Sequence, residues 1–166
     1  PASPSVEALS APAPSLRQPR GGPLAGLRVV ELTKIWAGPY AGKLLSMLGA
    51  EVIKIESRST LDDVRFYGGS DIDQGPIFMS INPEVLSTQV NLKTDRGMQC
   101  LRELIARSDV VINNIRPGAM ERQGLGYEDL RAIKHDLIVV SIKMYGNDGP
   151  LAGQTGFAPS FAALGG

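Results

Sequence analysis

The chain has 166 residues, 43% of them hydrophobic, and its 17 basic side chains balance 17 acidic ones. This length and composition predict one globular domain. Because the net charge is zero, we expect neither nucleic acid nor a membrane as a partner, and any phosphate recognition has to be local. No apolar run reaches the roughly 18 residues that a membrane span requires.

Residues 1–22 are rich in Pro, Ala and Ser and lack the apolar core of a secretory signal. They are predicted to form a flexible tail or linker, and residues 23–166 the folded domain. Since the chain begins on a residue other than methionine and ends just after an apolar helical run, we expect it to be a processed piece or a part of a longer polypeptide.

Cys100 is the single cysteine of the chain. One thiol excludes an internal disulfide framework and is consistent with a reducing compartment, so the expected location is cytoplasmic. Its position on a helical pattern predicts a small buried core residue rather than a nucleophile.

Strand and helix patterns alternate along the domain. The predicted strands are 27–32, 51–56, 88–92, 109–115 and 137–144. The predicted helices are 39–48, one that begins at Thr94, 127–133 and the apolar run near the carboxyl terminus, whereas 57–85 is predicted to be a long irregular loop. This order predicts an α/β fold that is Rossmann-like, with a mostly parallel sheet, helices on both faces and an incomplete sheet in this chain.

The glycines between Gly38 and Lys43 suggest a phosphate loop, but their spacing is one residue too short and Leu44 replaces the metal-binding hydroxyl. A dinucleotide fingerprint also fails. What remains is a helix amino terminus whose amides either meet an anion or carbonyl oxygen or simply form a tight turn. His135 is predicted to be a solvated turn residue, and without partner ligands it supports no metal site.

Four segments carry a resemblance to a known family: 27–39, 48–56, 109–118 and 125–130. They closely resemble the amino-terminal part of the family III CoA-transferases (CaiB/BaiF type), which include formyl-CoA transferase, carnitine-CoA transferase and α-methylacyl-CoA racemase. The resemblance implies movement of CoA between an acyl-CoA thioester and a carboxylic acid. It also implies a homodimer, or a heterodimer with a homologous subunit. A structural subunit without a ligand remains the alternative, and an acyl-CoA racemase is a further one.

Coenzyme A needs cations for its phosphates and a polar pocket for its thioester. The sequence offers five cations near predicted strand ends, each of which is otherwise a solvated surface charge: Arg58, Arg65, Arg116, Arg122 and Lys143. Matched by resemblance to the family's CoA site are Lys34, Ile35, Ala37, Arg58, Asn114, Arg122, Lys143 and Tyr145. The first three lie in the loop that cradles the pantetheine arm in the family.

The chain departs from the family pattern at three places. The family's nucleophilic aspartate lies beyond the segment 156–166, so no catalytic residue is assigned. Val85 and Leu86 stand where relatives have a Lys-Arg pair, and Phe157 and Ala158 replace the proton-transfer pair of the racemases. We therefore expect a non-catalytic or weakly CoA-binding subunit or fragment, silent in CoA transfer by itself and stable only in association.

Overall fold

The computed structural model describes residues 21–69 and 71–166. The prediction of a flexible tail over residues 1–22 therefore lies almost wholly outside the described residues. The strands are β1 (Arg28–Leu32), β2 (Glu51–Glu56), β3 (Leu86–Gln89), β4 (Val110–Asn113) and β5 (Ile138–Ser141). The helices are α1 (Ala37–Met47), α2 (Pro76–Ile81), α3 (Asp95–Ala106), α4 (Tyr127–Ile133) and α5 (Ala158–Gly165), and short 3-10 turns span Asp63–Phe66 and Glu121–Gln123.

The five strands form one sheet in the order β3-β2-β1-β4-β5, and every pairing is parallel. The α/β fold with a parallel sheet is thus confirmed. The chain moves outward from β1 to β3 on one side and then returns to place β4 on the other side of β1. The carboxyl ends of β1 and β4 therefore form the topological switch point, where open α/β sheets bind ligands.

Helices cover both faces of the sheet, as predicted. On one face Leu101 and Ile105 of α3 and Leu130 of α4 pack against Val30 and Val111. Leu101 and Ile105 are four residues apart and so share one side of α3, and burying each contributes roughly 1.5–3 kcal/mol.

Val29, Val52 and Ile112 point to the opposite face, where Leu45 of α1 packs on them. Successive residues of a strand alternate between faces, so a strand covered on both sides is apolar nearly throughout.

The prediction that 57–85 is irregular throughout was wrong. This segment contains the 3-10 turn at Asp63–Phe66 and helix α2. Phe78 and Ile81 of α2 form a small buried cluster with Val64. Six residues are too few to give a clear helical period, so the tertiary contact stabilises this helix.

Strand β3 begins two residues before the predicted start at Thr88 and ends at Gln89, because its pairing with β2 places Leu86 opposite Ile53.

The prediction that Cys100 is buried was wrong, since its side chain is exposed on α3. The cap of α3 is confirmed: the Gly97 amide donates to Thr94 Oγ1 at 3.1 Å.

Apolar side chains are exposed at the β5 edge and on α5. Ile138 is 58% exposed, and Phe157, Phe161 and Leu164 are each about 60% exposed. Within residues 21–69 and 71–166, no helix has both the length and the apolar character needed to cross a membrane. Nothing in the described part of the chain covers these apolar side chains.

Candidate functional site

Asn114 joins the two loops that meet at the switch point. Its Oδ1 accepts a hydrogen bond from the Lys34 amide at 2.9 Å, and its Nδ2 donates to the Lys34 carbonyl at 2.7 Å. Both ends of the Asn114 amide are thus engaged by one backbone residue. Asn114 thus fixes the loop after β1, and the Lys34 ammonium donates to the Leu61 carbonyl.

Ile35 follows with a φ of 72°, which a β-branched residue rarely adopts. Its amide donates to Asp62 Oδ1 at 2.9 Å, and its side chain packs on the cluster of Val64, Phe78 and Ile81. Such a backbone persists only where its surroundings hold it in place. Ile35 therefore shapes the loop, with its amide bonded to Asp62 and its side chain partly buried.

Helix α1 begins immediately after this loop, and its N-cap residue, Trp36, makes no side-chain hydrogen bond to it. Ala37 is exposed. A Cβ at Gly38 would overlap Thr33, whose Cγ2 would lie only 2.6 Å away, so the helix starts close against the end of β1. The open amides of the first turn lie beside the switch point, where an anion or a carbonyl oxygen is favoured.

Three charged side chains lie fully buried beneath the loop; Glu31, Lys54 and Asp62 are called here the buried charge cluster. Lys54 Nζ lies 2.9 Å from Glu31 Oε1 and 3.0 Å from Asp62 Oδ2, and all three side chains are 0% exposed. The second contact is an ion pair without hydrogen-bond geometry. Lys54 also donates to the Thr33 carbonyl, and the Thr33 hydroxyl donates to Glu31 Oε1 at 2.6 Å.

A second buried ion pair holds the segment after β2. Arg65 donates to Glu56 through Nε at 3.0 Å and also through Nη2, and its guanidinium lies 3.6 Å from the Phe78 ring centre. Nη1 reaches the exposed Asp73. All three guanidinium nitrogens of Arg65 thus donate to carboxylates of the protein itself. The prediction that Arg65 is a candidate phosphate ligand was wrong.

Burial and hydrogen bonding act on the pKa of Glu56 in opposite directions. Burial raises the pKa of Glu56, but hydrogen bonds from Arg65 and from the Asp62 amide outweigh it, and the pKa lies below its usual value. Burial lowers the pKa of Arg65, but the bonded Glu56 raises it further, so the guanidinium stays charged.

Acid is therefore expected to remove the stabilisation that this pair provides. Because the folded pKa of Glu56 is depressed, its contribution is complete above the unfolded glutamate pKa of about 4.3 and is lost as the pH falls through the folded value. We expect the free energy of unfolding of wild type to exceed that of Glu56→Gln at pH 6, and the difference to shrink steadily towards pH 3. Urea unfolding at several pH values measures it.

Glu128→Gln is the matched control, since Glu128 is exposed in the first turn of α4. A difference between wild type and Glu56→Gln that stays constant from pH 6 to pH 3 contradicts the assignment.

A cavity of about 590 Å³ opens between the carboxyl ends of β4 and β5. Its size is that of a small-molecule site. The charged side chains in its wall are Arg116, Lys143 and Glu121, and the ring of Tyr127 forms another part of the wall. Asn113 Nδ2 donates to Ser141 Oγ at 3.1 Å and ties the two strand ends together. Two cations and one aromatic ring make this cavity suitable for a phosphorylated ligand with a planar group.

The structure places the predicted site residues in three groups. Lys34, Ile35, Ala37 and Asn114 lie together at the β1–β4 switch point. Lys143 lines the cavity, and Arg122 lies beside it, with Nη1 2.8 Å from where a Cβ on Gly118 would be. Tyr145 is half-buried in the segment after β5, and Arg58 is exposed after β2, away from the cavity wall. Their roles in binding stay predictions.

Arg116 was among the five candidate cations but was absent from the residues matched by resemblance, and Tyr127 was not a candidate. The signal for Arg116 was present in the sequence, because an Arg-Pro-Gly turn follows a buried strand directly. Tyr127 carried no signal, since only the fold brings the start of α4 to the end of β4.

His135 is exposed in the turn before β5, as predicted. Across residues 21–69 and 71–166 no group of three His, Cys, Asp or Glu side chains is arranged to hold a metal ion.

Comparison with known proteins identifies the family. The model of CoA-transferase family III matches residues 24–166. The chain belongs to CoA-transferase family III. Among its curated relatives is the succinyl-CoA:glutarate CoA-transferase of Mus musculus, 39% identical over 145 residues, which are 87% of this chain and 33% of that protein. Another is the succinyl-CoA–L-malate CoA-transferase alpha subunit of Chloroflexus aurantiacus, 36% identical over 82% of this chain and 32% of its own length.

Solved family III structures have the same fold. A CaiB/BaiF family protein from Brucella suis superposes with a TM-score of 0.82 at 38% identity and covers 88% of this chain and 40% of its own. Rv3272 from Mycobacterium tuberculosis superposes with a TM-score of 0.80 at 36% identity, covering 88% of this chain and 39% of its own. The chain thus spans about a third of the length of the curated relatives.

Proposed function

We propose that this chain forms the CoA-binding part of a family III enzyme that moves CoA between an acyl-CoA thioester and a carboxylic acid. The observation that carries the proposal is the cavity between β4 and β5, whose wall includes Arg116 and Lys143. The wall also includes the two chain neighbours of Asn114, the residue that binds the switch-point loop. Coenzyme A has phosphates and a planar base at one end and a thioester at the other. The cations of the cavity suit the phosphates, and the amides of the switch-point loop suit the thioester.

The phosphates of CoA are proposed to meet Lys143, Arg116 and Arg122, whose guanidinium and ammonium groups form charge-assisted hydrogen bonds. The pantetheine arm then runs towards Lys34 and Ala37. At the start of α1, the open amides and the positive end of the helix dipole stabilise negative charge on the thioester oxygen. Arg58 and Tyr145 are proposed to lie at the margins of the bound ligand.

The acyl donor and the acceptor are proposed by analogy with the relatives. The mouse protein is named for succinyl-CoA and glutarate, and the Chloroflexus protein for succinyl-CoA and L-malate. We expect succinyl-CoA or a similar dicarboxylic thioester as donor and a small carboxylic acid as acceptor. A cytoplasmic location is consistent with this chemistry.

The covalent step needs a carboxylate nucleophile, and no residue of this sequence matches the one of the family. Phe157 and Ala158 cannot exchange a proton, which speaks against a racemase. We therefore propose that this chain binds CoA and that the nucleophile comes from a homologous subunit in a heterodimer. A homodimer of these 166 residues would bind CoA without carrying out the covalent step. The Chloroflexus relative is named as an alpha subunit, and the exposed apolar side chains of α5 offer a surface for association.

A structural subunit without a ligand is the second candidate. Val85 and Leu86, which replace a cationic pair, favour it because both side chains pack into the hydrophobic core. Arg116 and Lys143 at the cavity favour binding, since together with Glu121 they leave the wall with a net positive charge that an anionic ligand would neutralise.

Calorimetric titration with CoA and with succinyl-CoA tests the proposal. We expect measurable binding, and a loss of affinity of about tenfold in each of Lys143→Ala and Arg116→Ala, because a hydrogen bond to a charged group is worth about 1.5–3 kcal/mol. Arg122→Ala is expected to weaken binding by a smaller factor, since this guanidinium lies beside the cavity.

Arg107→Ala is the matched control, because Arg107 is an exposed cation that follows α3 at the opposite, amino-terminal edge of the sheet. The affinity of Arg107→Ala for CoA should equal that of wild type. Absence of binding to wild type would favour the structural subunit, and binding that Lys143→Ala and Arg116→Ala leave unchanged would refute the site.

A further inference from the structure

All three members of the buried charge cluster make a hydrogen bond to the loop between β1 and α1. Lys54 Nζ donates to the Thr33 carbonyl at 2.9 Å, and Asp62 Oδ1 accepts from the Ile35 amide at 2.9 Å. Glu31 Oε1 accepts from the Thr33 hydroxyl. Each member of the cluster thus holds the backbone or a side chain of this loop.

The loop requires such support because its conformation is not one that its own sequence favours. Ile35 has a positive φ of 72°, and β-branched residues are rare there. Asp62 Oδ1 also accepts from the Val64 amide at 3.4 Å. One carboxylate therefore joins the loop after β1 to the 3-10 turn that packs beneath it.

Stability alone does not account for three buried charges, of which two lie on the adjoining strands β1 and β2 and one in the segment after β2. Apolar side chains of similar volume generally stabilise such a position as well as a buried ion pair does, and the neighbouring positions of β1 and β2 are Val, Leu and Ile. The cluster also leaves Glu31 Oε2 buried without a hydrogen-bond partner.

We infer that Lys54 and Asp62 are positioning residues that hold the loop from Thr33 to Ala37 in the shape in which it receives the thioester end of CoA. This inference rests on the proposed function for its ligand. Neither side chain touches the ligand. The cluster acts by fixing the Ile35 backbone, which in turn sets where the first amides of α1 point.

The same two strands supply a control. At their opposite ends, Arg28 pairs with Glu51, with both side chains about 10% exposed. This ion pair also joins β1 to β2 but lies away from the loop. Glu51→Ala therefore removes a nearly buried ion pair of the same sheet and leaves the buried charge cluster and the loop after β1 unchanged.

The experiment compares Asp62→Ala, Asp62→Asn and Glu51→Ala in the 166-residue chain. The first readout is amide hydrogen exchange at Lys34 and Ile35. We expect Asp62→Ala to speed exchange at Ile35 by about tenfold or more, because local opening then lacks its acceptor. Asp62→Asn keeps an oxygen that accepts this amide and should retain most of the protection.

The second readout is the dissociation constant for CoA. Affinity falls when a loop has to become ordered upon binding. Asp62→Ala should therefore raise the dissociation constant for CoA by about tenfold, and Asp62→Asn should restore most of the affinity. Glu51→Ala should lower the unfolding midpoint and leave both the exchange at Ile35 and the affinity unchanged. Thr33→Val, which removes the hydroxyl bonded to Glu31, replaces Asp62→Ala if that variant does not fold, and should change both readouts in the same direction.

Two outcomes overturn the inference. One is unchanged exchange at Ile35 in Asp62→Ala. The other is an equal loss of CoA affinity in Asp62→Ala and Glu51→Ala, which would show that general destabilisation is the cause. If wild type does not bind CoA, the proposed function fails by itself, and the exchange comparison still decides whether the cluster positions the loop.

Discussion

Replacing Lys54 by Met is expected to destabilise the protein by about 3–5 kcal/mol, which is the usual cost of removing one partner from a buried ion pair. Lys54 lies within 3.0 Å of carboxylates of both Glu31 and Asp62, and all three side chains are fully buried. Methionine fills nearly the same volume but leaves two buried carboxylates without a cation. Urea unfolding at pH 7 measures the loss.

The matched control is Lys43→Met in helix α1. Among the described residues its ammonium donates to the Ser80 carbonyl at an exposed position and lies 5.4 Å from the Tyr40 ring centre, so we expect a change of about 1 kcal/mol or less. Adding Glu31→Leu to Lys54→Met should recover part of the stability, because only one buried carboxylate then lacks a cation. A loss below about 1 kcal/mol in Lys54→Met would contradict the assignment of the buried charge cluster.

Gly42→Ala is expected to destabilise the protein by about 2 kcal/mol, although alanine is the better helix former by about 1 kcal/mol. A Cβ at Gly42 would overlap Glu31 Oε2, would lie 3.0 Å from Glu31 Cδ, and would contact Val52 Cγ1 at 3.5 Å. Glu31 cannot swing away, because Lys54 and the Thr33 hydroxyl hold its other oxygen. Thermal and urea unfolding of the variant measure the effect.

Gly165→Ala is the control for helix propensity, since Gly165 is helical in α5 and a Cβ there would meet nothing within 4 Å. It should leave stability unchanged or raise it slightly. Equal effects of the two substitutions would show that the contact with Glu31 carries no cost.

The glycines at 38 and 42 show how one sequence signal supports two interpretations. Their spacing resembles that of a phosphate loop but is one residue too short. The sequence therefore left two alternatives for this helix start, a ligand contact or a simple tight turn. In the structure both glycines face β1, where Thr33 and Glu31 occupy the space of a side chain. They allow α1 to approach the sheet closely.

The sequence determined the order and type of most elements. Short continuous apolar runs and helices with period 3.6 depend on local spacing, so the strands at Arg28–Leu32 and Glu51–Glu56 and the helix at Tyr127–Ile133 lie where the pattern predicted them. The alternation of strands and helices likewise fixed the parallel sheet, because a parallel connection requires a crossover.

Helix α2, the exact range of β3 and the exposure of Cys100 depended on tertiary contacts. Six residues do not reveal a period, and an edge strand begins where its neighbour offers hydrogen bonds. Which side of α3 faces the sheet is likewise decided by packing, and Leu101 and Ile105 occupy the side that Cys100 would have needed.

For the site, the sequence supplied the candidate residues, and the resemblance to family III supplied their roles. Only the fold showed that Arg65 is bound to Glu56, that both polar atoms of Asn114 are engaged by Lys34, and that Arg116 faces the same cavity as Lys143. Spacing along a chain reports on neighbours within one element. Partners separated by 9 to 80 residues in sequence meet only when the fold brings the strand ends and the loops that follow them to one edge of the sheet.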